Sequence, residues 1–153
     1  MNNMDNIVTI LDCFFYNQRS DYFTGDNKLF CNNCKQFYDS AYTSKIFSSP
    51  NVLIIILNRR KGNVCNIKLD FDFNMDITDF VLAKQGKQIY NLYGVITQID
   101  ESGPNAHFIA SCKSPVDNNW YRYNDAQVER IQDFKKEVKD YGIPYILFYE
   151  KQK

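Results

Sequence analysis

The first clear pattern in the chain is Thr9-Ile10-Leu11-Asp12: a hydroxyl, two apolar residues and a carboxylate three positions on. This is a capping box, with Thr9 as N-cap and Asp12 able to reach back to the freed backbone amide. Ile10/Phe14 and Leu11/Phe15 follow at i,i+4 spacing, which predicts a short amphipathic helix to about Asn17. Gly25-Asp26-Asn27 is a turn signal between two short aromatic strands, Tyr22–Thr24 and Lys28–Phe30. An extended segment from Gln36 to Ile46 ends at the break Ser48-Ser49-Pro50.

From there strands dominate. Asn51–Asn58 is unbroken in β-branched residues and Leu, the pattern of a strand buried on both faces. Ile67–Phe73 alternates apolar and charged residues, the pattern of a half-buried strand. Asn74–Val81 reads as a turn or short helix, Ile89–Ile99 as a strand, and Asp100–Asn105 as a polar loop. His107–Lys113 and Trp120–Tyr123 read as strands around a turn at Ser114–Asn119. Val128, Ile131, Phe134 and Val138 have helical spacing, which predicts a helix over Gln127–Tyr141 closed by Gly142. Tyr145–Tyr149 is a last buried strand. The expected fold class is α+β, mainly antiparallel β.

Composition narrows the picture. At 153 residues the chain holds one domain's worth of core. Lys+Arg and Asp+Glu both number 18, so there is no bulk positive field and no support for nucleic-acid binding. The longest apolar run, Val52–Leu57, is too short to span a membrane. The first residues lack a basic start followed by an apolar stretch, so no secretory signal is expected. Five cysteines, three of them isolated (Cys13, Cys65, Cys112), argue against a disulfide framework and for a reducing cytoplasmic or nuclear setting.

Two constellations carry chemistry. His107, the only histidine, opens a strand just after a polar loop, where a side chain can face a cleft and serve as a general base. Seventeen positions later Asn124-Asp125 ends the neighbouring strand. If the strands form a hairpin, either group can hold the imidazole in one tautomer. The alternative is that Asn124-Asp125 caps the following helix. The second constellation is Cys31-Asn32-Asn33-Cys34, whose spacing supplies half of a tetrahedral zinc site. None of the three isolated cysteines has the setting that activates a thiol, such as a helix N-terminus beside an imidazole.

Six blocks in order resemble the ubiquitin-specific proteases. Ala106-His107-Phe108-Ile109-Ala110 is similar to the family's Gly-His-Tyr-x-Ala box. Trp120 through Val128 is similar to its Trp-Tyr-x-Phe-(Asp/Asn)-Asp-x-x-Val segment, and Tyr145-Ile146-Leu147-Phe148-Tyr149 to its closing strand. Tyr90 through Val95 and Pro50 through Arg59 are similar to two further family strands. Gly25 through Cys34 resembles the entry to the family's zinc-ribbon fingers. The departures are Ala106 for the family's Gly, Arg60 for its Phe, and a loop Gln98–Gly103 where His-Ser-Gly is common.

The resemblance implies a papain-like cysteine-protease palm, with residues 1–50 as a partial fingers region and 51–153 as the palm β-lobe. It implies a deubiquitinase in which His107 is the base, Asn124 orients it and Asp125 is a second polar group near the oxyanion or its water. Ubiquitin is the expected partner, with Asp100 and Glu101 either meeting its basic tail or simply solvated. The family's cysteine box, an Asn-x-x-Asn-(Ser/Thr)-Cys-Tyr-like segment, has no counterpart here, so the chain is expected to be inactive alone. The rival expectation is a relative that binds ubiquitin without cleaving it. No cofactor is implied for catalysis. A structural zinc is implied, with Cys31 and Cys34 giving an incomplete site.

Overall fold

A computed structural model describes residues 7–58, 68–83, 85–99 and 106–153. The chain runs β1 (Ile7–Thr9), α1 (Ile10–Asn17), β2 (Asp21–Phe23), β3 (Leu29–Cys31), β4 (Gln36–Tyr38), β5 (Ser40–Tyr42) and β6 (Val52–Ile56). It continues through β7 (Lys68–Asp70), β8 (Asn74–Asp76), β9 (Ile89–Gln98), β10 (Phe108–Lys113), β11 (Trp120–Asn124), β12 (Gln127–Arg130) and β13 (Ile143–Lys151). Single 3-10 turns lie at Gly25–Asn27 and Thr78–Phe80, and a π-helical turn at Lys135–Lys139.

An antiparallel sheet in the order β12-β11-β10-β9-β13-β6 is the frame, with β8 pairing β9. Its alternating side chains put Ile55, Leu147 and Val95 in one row on one face. Tyr90, Leu92 and Tyr149 join them in a core closed by α1 and by Phe71, Met75, Ile77 and Phe80. The predicted capping box forms: the Asp12 backbone N–H donates to Thr9 Oγ1 (3.1 Å), and the Thr9 N–H donates to Asp12 Oδ2 (2.9 Å). The Thr9 hydroxyl also donates to Asp12 Oδ2 (2.7 Å), and that bond first, with the Thr9 N–H second, holds the Asp12 carboxyl below its usual range; the box starts the helix where Ile10 enters the core. Phe14 and Phe15 then flank the Phe80 ring at 5.3 and 4.8 Å.

Several expectations change. Val52–Ile56 is not buried on both faces; among the described residues it is the edge strand, paired only to β13, and Ile54 and Ile56 are 53% and 70% exposed. Among the described residues nothing covers that side, so the pattern reflects a sheet face and not a sandwiched strand. The aromatic strands around Gly25–Asn27 do not pair with each other: β2 pairs β5 and β3 pairs β4. Asn74–Asp76 is a strand, and β1 lies parallel to β7.

The largest correction is the predicted helix over Gln127–Tyr141. Gln127–Arg130 is instead a strand, because Asp125 adopts φ 50° in a two-residue turn that folds β12 back on β11. Val128 is 56% exposed while Ile131 and Val138 are buried, so the helical spacing did not describe one face. Only the π-helical turn survives. Its end is fastened to β7 by Lys68–Asp140 at 2.8 Å and Lys139–Asp70 at 2.7 Å.

Gly142 fits its expected place after the helical turn, at φ 74°, and β9 gives it a second reason. A Cβ there would stand 2.5 Å from the Gln98 carbonyl oxygen, a backbone atom that cannot yield cheaply. Gly142→Ala should therefore lose about 2 kcal/mol or more of unfolding free energy in a denaturant titration, from positive-φ strain plus the clash. A second expectation concerns acid. Lysine hydrogen bonds hold the Asp70 and Asp140 carboxyls below their ordinary values, Lys139 acting on the first and Lys68 on the second. Depressed folded-state values stabilise the fold above the unfolded carboxylate value and lose that stabilisation as pH falls through the folded value. The melting temperature should drop as pH falls below about 4, and Lys139→Met should flatten that drop.

Candidate functional site

The site begins with a backbone register. On β9, Gln98 pairs Phe108, and the Ile99 N–H donates to the His107 carbonyl oxygen (3.0 Å). This anchors His107 one residue before β10. On the other side β10 pairs β11 from Lys113↔Trp120 to Ala110↔Tyr123. The two strands are therefore the hairpin the sequence suggested.

The turn that sets this register is built on one carboxylate. Asp117 accepts from the Asn119 backbone N–H (3.1 Å), Asn119 Nδ2 (2.8 Å) and Tyr121 Oη (2.7 Å). Asn118 takes φ 58°, and Ser114 N–H donates to the Asn119 carbonyl oxygen (2.8 Å). The Asn119 and Tyr121 donors hold the Asp117 carboxyl far below the usual carboxylate range, and the same bond raises the Tyr121 phenol.

With the register fixed, His107 and Asn124 meet. His107 Nε2 lies 2.6 Å from Asn124 Oδ1. An amide oxygen only accepts, so Nε2 carries the proton and Nδ1 is left with its lone pair. That is the arrangement of a general base held by an amide. His107, Asn124, Asp125, Ala126 and Gln127 line one open pocket of about 540 Å³.

The remaining sequence candidates divide. Asp125 Oδ2 is 4.0 Å from His107 Nε2, and its side chain is 84% exposed. Its left-handed backbone makes it a turn residue, so Asn124-Asp125 does not cap a helix. Asp100 and Glu101 lie outside the described residues, as do Cys65 and Arg60. Cys13, Cys31, Cys34 and Cys112 are not joined in disulfides, and none of them lines the pocket. Burial raises the Cys112 thiol, which opposes thiolate formation.

Cys31 ends β3 and Cys34 lies in the β3–β4 turn, where Lys35 takes φ 57° and its N–H donates to the Cys31 carbonyl oxygen (2.8 Å). The Cys34 N–H points at Cys31 Sγ (3.4 Å) and, with the Asn33 N–H, draws that thiol below its ordinary value. The pair suits a soft metal but offers two of four donors. Among the described residues no group of three or more His, Cys, Asp or Glu side chains gathers to hold an ion.

Sequence reasoning missed Arg122 and Gln127, which with Asn124, Glu129 and Tyr141 line a second pocket of about 210 Å³. The signal was available: Arg122 and Asn124 alternate along one strand and so share a face.

Comparisons with known proteins bear on this geometry. Ubiquitin carboxyl-terminal hydrolase 2 of Gallus gallus is 30% identical over 151 residues, covering 94% of this chain and 41% of its own length. Ubiquitin carboxyl-terminal hydrolase 48 of Rattus norvegicus is 25% identical over 143 residues, covering 89% of this chain and 14% of its own. The chain thus spans well under half of these relatives. A chain in the solved SAGA Ubp8/Sgf11/Sus1/Sgf73 DUB module bound to ubiquitin aldehyde superposes with a TM-score of 0.75 at 20% identity. That match covers 95% of this chain and 34% of the other, and it fixes the fold as an α+β, papain-like palm. The family model for ubiquitin carboxyl-terminal hydrolase matches residues 12–149, and the chain belongs to that family.

Proposed function

We propose that this chain is the base-bearing part of a thiol-dependent deubiquitinase, acting on the bond after the C-terminal glycine of ubiquitin. Residues 1–50 form part of the fingers and 51–153 the palm β-lobe. The observation that carries the reading is the 2.6 Å contact between His107 Nε2 and Asn124 Oδ1 beside an open pocket.

The chemistry follows from that contact. His107 Nδ1 takes the proton of a cysteine thiol, and the thiolate adds to the scissile carbonyl. The imidazolium formed is stabilised by Asn124 through Nε2–H, and it returns the proton to the leaving amine. Water, deprotonated by the same nitrogen, then hydrolyses the thioester. Asp125 supplies a polar group at the pocket mouth for the developing oxyanion or the attacking water. Asp100 and Glu101 are proposed contacts for the basic tail of ubiquitin. The lack of disulfides at Cys13, Cys31, Cys34 and Cys112 suits a cytoplasmic or nuclear protein.

The nucleophile is proposed to be none of the five cysteines of this chain. The second reading, a ubiquitin-binding scaffold without hydrolysis, draws on the absence of any described cysteine from the pocket lining. A cysteine box encoded upstream of Met1 favours the enzyme, and its absence favours the scaffold.

A ubiquitin probe carrying a C-terminal electrophile should leave the 153-residue chain unlabelled; a labelled cysteine in this chain overturns the assignment. In a polypeptide that includes the cysteine box, His107→Ala should lower kcat by about 10³-fold. Asn124→Ala should lower it by less, with KM little changed. Equal, background turnover in all three forms is the scaffold outcome. The Cys31/Cys34 pair generates a separate expectation, since two thiols fill half a zinc tetrahedron. Metal analysis of the purified chain should find far less than one zinc per molecule, and EDTA should leave its melting temperature unmoved. Stoichiometric zinc would reverse this.

A further inference from the structure

Asn124 stands at an exposed strand end, and its own ladder does little to hold it. The β10–β11 pairing stops at Ala110↔Tyr123, one residue short of Asn124. Beyond that point, among the described residues, the only pairing is Asn124↔Gln127 across the two-residue turn, and every residue of β12 is exposed. A hairpin tip with few buried contacts frays easily. An amide that must keep an imidazole at 2.6 Å needs something else to stop that fraying.

Arg122 is placed to do so. It lies two residues before Asn124 on the same face of β11, and its side chain is only 15% exposed. Its Nη2 donates to the Glu137 carbonyl oxygen (2.9 Å) and lies 3.7 Å from Glu137 Oε2. Its Nη1 is 3.9 Å from the carboxylate of Glu129, the cross-strand partner on β12. Its Cζ sits 4.4 Å from the centre of the Tyr141 ring.

Glu137 is itself pinned. Its Oε1 accepts from the backbone N–H groups of Gln132 (3.0 Å) and Asp133 (2.8 Å), bonds that cap the turn carrying Lys135–Lys139. One guanidinium therefore spans β11, β12 and the 132–142 segment. Only a planar, five-donor group can stack on a ring and reach a carbonyl and two carboxylates at once.

We infer that Arg122 is a positioning residue for Asn124, clamping the β11–β12 tip against Glu137 and Tyr141 so that the Asn124 amide stays on His107. The inference rests on the His107–Asn124 reading given above. It adds a residue that never touches the imidazole yet decides how long the amide stays in place. Arg122, Glu129 and Tyr141 also wall the 210 Å³ pocket next to Asn124, so loosening the clamp opens that pocket into the site.

The test uses the 153-residue chain, whose single histidine makes its ring signals unambiguous by NMR. The unaltered chain should show a His107 Nε2–H proton protected from water exchange, and Asn124→Ala should abolish it. Arg122→Met should abolish it too and speed amide exchange at Asn124 and Gln127 at least tenfold, with β9 and β13 core amides unchanged. Arg122→Lys should restore the signal partway, since it keeps the charge and loses the stacking fork. A protected Nε2–H and slow exchange retained in Arg122→Met overturn the clamp. Protection retained in Asn124→Ala overturns the His107–Asn124 reading instead. If Arg122→Met does not fold, Glu129→Gln and Tyr141→Leu each remove one contact. Weakened protection in those folded variants supports the clamp, and unchanged protection refutes it.

Discussion

The hydrogen bond between the His107 imidazole and the Asn124 amide depends on a chain of registers, and the rest of the site depends on it. Nothing in either side chain forces them together. The 2.6 Å separation exists because β9, β10 and β11 are locked in step, by the Ile99–His107 backbone bond at one side and the Asp117 turn at the other. A base needs its lone pair aimed and its other nitrogen occupied. In the role proposed for His107, the sheet would supply the aim and the Asn124 amide the occupant.

Much of this was readable before any coordinates. The capping box at Thr9–Asp12, the long strand through Ile89–Gln98, and the hairpin joining His107 to Asn124 all follow from local patterns. Those patterns act over a few residues, where hydrogen-bond geometry and side-chain alternation leave little choice. The failures are where two local readings compete. Val128, Ile131, Phe134 and Val138 fit a helix by count, but a left-handed Asp125 turns the chain into a strand first. An apolar run such as Val52–Ile56 cannot say whether both of its faces meet protein. The parallel pairing of β1 with β7 joins residues 61 positions apart, as Ile7 with Lys68, beyond the reach of any periodicity. Arg122 was missed for a different reason: its place on the same strand face as Asn124 was legible, but its role was not until Glu129, Glu137 and Tyr141 arrive around it.

The sheet is unevenly dressed. One face carries the core of Tyr90, Leu92, Val95, Leu147 and Tyr149, while the β6 edge offers Val52, Ile54 and Ile56 to solvent. The charged ties Lys68–Asp140 and Lys139–Asp70 lie on the surface, where each is worth little alone. Their value is geometric, since they pin the segment that Arg122 grips. Stability in this chain comes from the buried row, and precision comes from polar groups at its margin.

The six-residue turn at Ser114–Asn119 has a bearing on how such a sequence can change over time. If adding or deleting a single residue in that span were taken up by the ladder, the one-residue slip would turn β11 over and carry the amide to the opposite side of the sheet, because strand side chains alternate with period two. Paired insertions keep the facing but slide Asn124 along the strand, away from the ring. Length in this turn is therefore under tighter constraint than identity. Drift there is expected to appear as substitutions around Asp117, with insertions and deletions confined to other loops.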